Sequence, residues 1–140
     1  MIRVCRLIPF AAVLAAAACG SIVPTVPAPP TAPFSTNDLV VGTGTVAASG
    51  NTVTVQYTGW LYDPTKTDGK GTQFDTGTLA PFVLGTGAVI AGFDQGIIGM
   101  RVGGTRRLII PPSLGYGSNA NGPIPANSTL VFEMTLLNVQ

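Results

Sequence analysis

The sequence predicts an α+β domain, an antiparallel sheet laid over one short helix. Three observations carry this. Period-two alternation recurs in well-separated segments, helical spacing occurs in only one place, and the intervening stretches are crowded with glycine and proline, 18 and 12 of 140 residues.

Taken in chain order, the N-terminus reads as an address. Arg3 and Arg6 precede an apolar run, Leu7 to Ala18, and small residues then lead into Cys19. These are the parts of a secretory signal. The run falls short of the roughly 20 residues that span a bilayer. Residues 1–18 are therefore expected to be a signal peptide; a plain export signal cut near Ala18 and a short anchor helix are the other readings. Ala16-Ala17-Ala18-Cys19 resembles a bacterial lipobox, with Ala16 where Leu is usual. The resemblance implies lipidation at Cys19, where two or more acyl chains anchor stably. It also implies an exported protein of the cell envelope, lipid-anchored to a membrane that faces the periplasm or exterior. Prolines 24, 27, 29, 30 and 33 come next. They fix φ and remove donors, so residues 19–36 are expected to be a semi-rigid spacer at about 3.1 Å per residue.

The domain is expected over residues 37–140. Leu39 to Val41 is a short strand candidate. In Thr52 to Trp60, Val53, Val55 and Tyr57 share one face and Thr52, Thr54 and Gln56 the other, the pattern of a half-buried strand. Asp63 to Gly71 reads as a solvated loop, and Pro81 to Leu84 as a short strand. Val89, Phe93 and Ile97 recur at spacing four and share a helix face. Glycines 92, 96 and 99 weaken that helix by about 1 kcal/mol each, so packing must hold it. Thr105 to Ile110 is a strand stopped by Pro111-Pro112. Leu130, Phe132, Met134 and Leu136 alternate with Val131, Glu133, Thr135 and Leu137 in the last strand.

Composition excludes several functions. Net charge is +1, with no basic run, so nucleic acid is not an expected partner. The chain has no histidine, and its two cysteines, Cys5 and Cys19, precede the domain. No metal site, cofactor or histidine-based triad is expected. Gly85-Thr86-Gly87 begins like a dinucleotide fingerprint, but position 90 is Ile90 and one helix supplies no βαβ unit. The glycines fit a tight turn and close helix–sheet packing instead.

Seven of the ten aromatic residues (six Phe, three Tyr, one Trp in all) are Tyr57, Trp60, Phe74, Phe82, Phe93, Tyr116 and Phe132. Their scatter over several elements suits a common core or the lining of one cavity. Asp75 directly follows Phe74. A carboxylate beside aromatics is costly unless paired or at a cavity mouth; a turn-capping aspartate is the simpler alternative.

Val55-Gln56-Tyr57-Thr58-Gly59 followed by Gln73-Phe74-Asp75 resembles the V-x-Y-T-G and F-D blocks of FKBP-type peptidyl-prolyl isomerases. Phe82-Val83-Leu84-Gly85, Val89 to Asp94, Gly99 to Gly104, Pro112 to Gly117, Ile124-Pro125 and Thr129 to Phe132 resemble further blocks in the same order, from about Asn37 to Gln140. The resemblance implies a twisted antiparallel sheet wrapped around a short helix, in agreement with the element-by-element reading. It implies that Tyr57, Phe74, Phe82, Val89, Ile90, Phe93 and Phe132 line a pocket with Ile124 near its rim. Tyr116 would offer its hydroxyl, and Ile90 its N–H, to ligand carbonyls, while Asp75 would face the twisting amide. Two positions depart from the family. Phe93 stands where the floor is usually Trp, and Ala80 where an aromatic is common; both imply a roomier pocket.

The same resemblance implies catalysed X–Pro rotation in exported proteins, with Tyr57, Phe74, Asp75 and Tyr116 as the catalytic set and no cofactor. Proline-containing polypeptides and tacrolimus-like macrolides are the implied ligands. The alternative is a non-enzymatic chaperone or adaptor lipoprotein using the same pocket. With no dimerisation helix visible, a monomer is expected.

Overall fold

The computed structural model describes residues 27–140. The signal peptide expected over residues 1–18, Cys19 and the first part of the linker lie outside the described residues. The elements are β1 (Ser35–Val40), β2 (Thr52–Tyr62), β3 (Lys70–Val83), α1 (Ala91–Ile97), β4 (Thr105–Ile110), a 3₁₀ turn (Pro112–Leu114) and β5 (Leu130–Val139). All strand pairs are antiparallel, in the order β1-β4-β5-β2-β3. Among the described residues no helix is long and apolar enough to cross a membrane.

The alternation read in the two central strands sets the core. Val53 and Val55 of β2 and Leu130, Met134 and Leu136 of β5 are fully buried, joined by Leu108 and Ile110 of β4. On this face lies α1, burying Gly92, Phe93, Gly96 and Ile97. Its glycines are explained by proximity. A Cβ on Gly92 would sit 2.6 Å from Ile110 Cγ2, and one on Gly96 would sit 2.5 Å from Leu108 Cδ1. The poor helix formers are what let the helix approach the sheet. Arg106 fastens the helix end. Its Nη1 donates to the carbonyls of Gly96 (2.9 Å) and Ile98 (3.1 Å), while its guanidinium pairs with Asp38 of β1. A cation placed there satisfies orphan carbonyls and complements the helix dipole.

Three sequence expectations are corrected. β3 runs over Lys70–Val83, far beyond the short strand expected at Pro81 to Leu84. Lys70 is no part of a solvated loop: its Nζ lies 3.0 Å from Glu133 Oε1 and 4.6 Å from the Trp60 ring centroid. The first strand runs over Ser35–Val40 rather than Leu39 to Val41, and Phe34 just before it packs against the core. Pro29 and Pro30 border a hollow shared with Leu61, Tyr62 and Pro125, so the end of the proline-rich segment lies along the domain.

Candidate functional site

Between α1, the inner face of β2 and β5, and the loop before β5 lies a cavity of about 710 Å³, well within the range of small-ligand sites. Its floor is aromatic. Phe93 and Phe132 meet edge to face, centroids 4.5 Å apart at 88°, and Phe74 meets Phe132 at 5.5 Å and 85°. Tyr57 closes the group at 6.4 Å from Phe93 and 6.3 Å from Phe132. Such edge-to-face arrangements are favoured by the ring quadrupoles. Gly59 makes the packing possible. It pairs with Phe132 across the sheet, and a Cβ there would lie 2.6 Å from Phe132 Cε1 and 2.7 Å from Phe74 Cζ.

A bulge places Phe74 and Asp75 together. Gly59 pairs with Asp75 and Trp60 with Gln73, which leaves Phe74 as an extra residue in β3. In a regular strand two consecutive side chains face opposite ways. At a bulge the alternation resets and a side chain is re-aimed, and here both Phe74 and Asp75 line the cavity. Asp75 is exposed on the cavity wall, as the sequence allowed, and it is paired. It accepts from the Tyr57 hydroxyl at 2.6 Å and from the Thr76 N–H at 2.9 Å. Tyr57 reaches it diagonally, since its direct partner on β3 is Gly77. The hydrogen bond to Asp75 above all, then burial and the nearby charges of Asp75 and Tyr116, push the Tyr57 phenol from 10.0 up to about 12. It is therefore a firm donor across the ordinary pH range.

The far wall comes from the start of α1 and the loop before β5. Val89 and Ile90 line it, and the Ile90 carbonyl accepts from Phe93 N–H at 2.9 Å. The Ile90 N–H and the Tyr116 hydroxyl have no hydrogen-bond partner among the described residues, so both are available to a bound carbonyl. Ile124, expected near the rim, lines the cavity at 5% exposure. The turn into the helix is fixed internally: Gly85 and Gly87, at φ of +82° and +74°, donate their N–H groups to Asp94 Oδ1 (3.1 Å) and Oδ2 (3.2 Å). Those amides hold a carboxylate of the chain itself, which fits the turn reading of the glycine pattern. Among the described residues no group of three or more His, Cys, Asp or Glu is gathered as metal ligands.

Two aromatics are placed elsewhere. Phe82, expected in the pocket, pairs opposite Val53 and packs half-buried against the core, outside the cavity lining. A second bulge in β3, between the Leu79 and Phe82 pairings, moves it along the sheet. Trp60 lies under Lys70 on the opposite face of the sheet. Residues not foreseen at the cavity are Leu79, Gly87, Ala88, Asn121 and Pro123. Leu79 is hidden in the sequence by the bulges. Asn121-Gly122-Pro123 carries a legible turn signal, and the turn is closed by paired backbone bonds of 2.9 Å between Asn121 and Ile124. Nothing local says which way such a turn faces.

Known proteins share this architecture. Residues 44–137 match the family model of FKBP-type peptidyl-prolyl cis-trans isomerase. The chain is 46% identical over 105 residues to FK506-binding protein 1 of Aspergillus oryzae, covering 70% of this chain and 90% of that protein. It is 46% identical over 103 residues to an FK506-binding protein of Neisseria meningitidis serogroup B, covering 73% of this chain and 92% of that one. Among solved structures it is similar to the crystal structure of AtFKBP13, with a TM-score of 0.64 and 34% identity, covering 76% of this chain and 93% of that chain.

Proposed function

This chain belongs to the FKBP-type peptidyl-prolyl cis-trans isomerase family, and from that premise we propose how its cavity performs the rotation and where in the cell it does so. The observation that supports the reading best is an aromatic cavity with one carboxylate, Asp75, on its wall and two donors, the Ile90 N–H and the Tyr116 hydroxyl, that have no partner among the described residues.

The X–Pro bond resists rotation by about 18–20 kcal/mol because twisting breaks amide resonance. The planar amide is also the more dipolar form, so water favours it. Seated over Phe93, Phe132 and Phe74, the proline ring carries its amide out of water, which lowers the relative cost of the twist. The Ile90 N–H and Tyr116 hydroxyl hold the flanking carbonyls. A cavity shaped to the twisted form then adds differential binding. A millionfold acceleration needs about 8 kcal/mol of such stabilisation, and no nucleophile or proton transfer. Asp75, steadied by Tyr57, supplies a fixed negative charge beside the rotating carbonyl. Macrolides of the tacrolimus type would occupy the same aromatic floor.

Cys19 carries a lipid in this reading, after removal of residues 1–18, and the part of the 19–36 linker that precedes Pro29 holds the domain off an envelope membrane. The substrates are then exported polypeptides. Turnover of a Leu-Pro peptide by the purified protein, with and without tacrolimus, tests the site. Inhibited turnover supports it; a folded protein that turns nothing over rules it out. Incorporation of a fatty-acid probe that is lost in Cys19→Ala supports the anchor, and equal labelling of both proteins excludes it.

A further inference from the structure

We propose that Asp75 sets a substrate preference, favouring X–Pro segments with a lysine or arginine adjacent to the proline and rejecting those with an acidic residue there; this rests on the isomerase reading of the cavity. Asp75 is the only charged residue lining the cavity among the described residues. Both of its protein partners are neutral donors, the Tyr57 hydroxyl and the Thr76 amide. The described cations all lie outside the cavity lining. Arg106 pairs with Asp38, and Lys70 and Arg107 with Glu133. Arg101 reaches the Gly44 carbonyl, and Lys66 borders a separate hollow with Tyr62 and Arg107. The charge of Asp75 therefore reaches the cavity without a compensating side chain.

The carboxylate can also accept more. It offers about four lone-pair sites, and the protein fills two of them. A lysine or arginine beside the proline could lay its apolar stem along Phe74 and Leu79, both on the same wall, and bring its charged head to Asp75. The Tyr57 bond would stay intact. An acidic residue in the same place would meet an uncompensated like charge over a neutral surface, where repulsion is stronger than in open water.

The test is a peptide series identical but for Lys, Gln or Glu, placed first before and then after the proline, and read as kcat/KM on the full chain. At low ionic strength the Lys to Glu ratio is expected to reach about tenfold at one position or both, with Gln between, and to shrink in high salt. In Asp75→Asn the ratio should fall to about one whatever happens to the overall rate, a change that a purely structural or general catalytic role would not produce. A ratio near one in the wild type overturns the inference, as does a ratio that survives high salt or Asp75→Asn. If the Gln peptide is turned over without charge preference, this inference fails alone; if no peptide is turned over, the isomerase reading fails with it.

Discussion

Replacing Gly92 by alanine sets two effects against each other, and the structure says which prevails. In α1, alanine is the better helix former by at most about 1 kcal/mol. The backbone is ordinary helix there, so no strain is relieved or created by a change of φ. The new methyl, however, would lie 2.6, 2.7 and 2.8 Å from Cγ2, Cδ1 and Cγ1 of Ile110, where carbon atoms prefer about 3.5–4.0 Å. Ile110 is completely buried and β-branched, so rotating it merely trades one clash for another. The helix must lift by roughly 1 Å, and overpacking of this kind costs about 1–3 kcal/mol. The net loss is about 1–2 kcal/mol, a fall in Tm of about 5–10 °C for a domain of this size. Phe93 and Ile90 flank the site of the change, so kcat/KM should fall as well. A double-mutant cycle makes the argument exacting. Ile110→Ala alone should cost about 2–5 kcal/mol, but the pair should cost less than the sum by about 1 kcal/mol or more. An unchanged or higher Tm for Gly92→Ala, or an additive cycle, would refute the claim that close helix–sheet approach dictates glycine here.

Three further outcomes are expected. In a spectrophotometric titration the Tyr57 phenol should ionise near pH 12 and earlier in Asp75→Asn; because its folded value is raised, its contribution to stability is complete below pH 10 and fades as pH climbs through 12. Burial pushes Glu133 up, but its hydrogen bonds to Lys70 and Arg107 outweigh this and hold it below its usual 4.5, so its stabilisation is present above 4.5 and is lost on acidification through the folded value; Glu133→Gln should flatten that part of a Tm against pH curve. Arg106→Ala removes both carbonyl partners from the end of α1 and should cost about 2 kcal/mol, with Arg106→Lys restoring only part of it on thermal melting, since an ammonium lacks the fork.

Most of the sheet is legible in the sequence because the core residues of β2, β4 and β5 alternate over most of their length, although Val131 is buried beside Leu130 and Phe132 and the β2–β5 register shifts once, at Thr54 and Val55. The helix is legible from Val89, Phe93 and Ile97 despite its glycines, whose purpose becomes visible only with Leu108 and Ile110 beneath them. The strand that escapes such reading, β3, has three register shifts against β2, so no single alternation runs through it. Pro81 reads as the start of a strand rather than the interior of a longer one, and is tolerated inside β3 because β3 is an edge and the shift lies beside it. The aromatic wall is legible from residues that stay in phase. Phe82 is misplaced and Leu79 overlooked because both lie around a bulge. Lys70 looks like loop because its partner Glu133 is distant in sequence, and distant pairings leave no local signal.

The extra residue at Phe74 makes the length of β3 a variable in its own right. From Asp75 to Leu79 the inward positions are odd-numbered; at Phe82 and Leu84 they are even. The strand thus changes reading frame between its segments, one frame serving the cavity wall at Asp75 and Leu79 and the other the core at Phe82 and Leu84. Deleting Phe74 would close the irregularity and leave every ladder partner of β2 in place, removing a single ring from the wall. Deleting Thr78, inside a frame, would turn either Asp75 or Leu79 away from the cavity. Two deletions of equal size, four residues apart, would therefore differ in kind: one trims the site, the other inverts part of it.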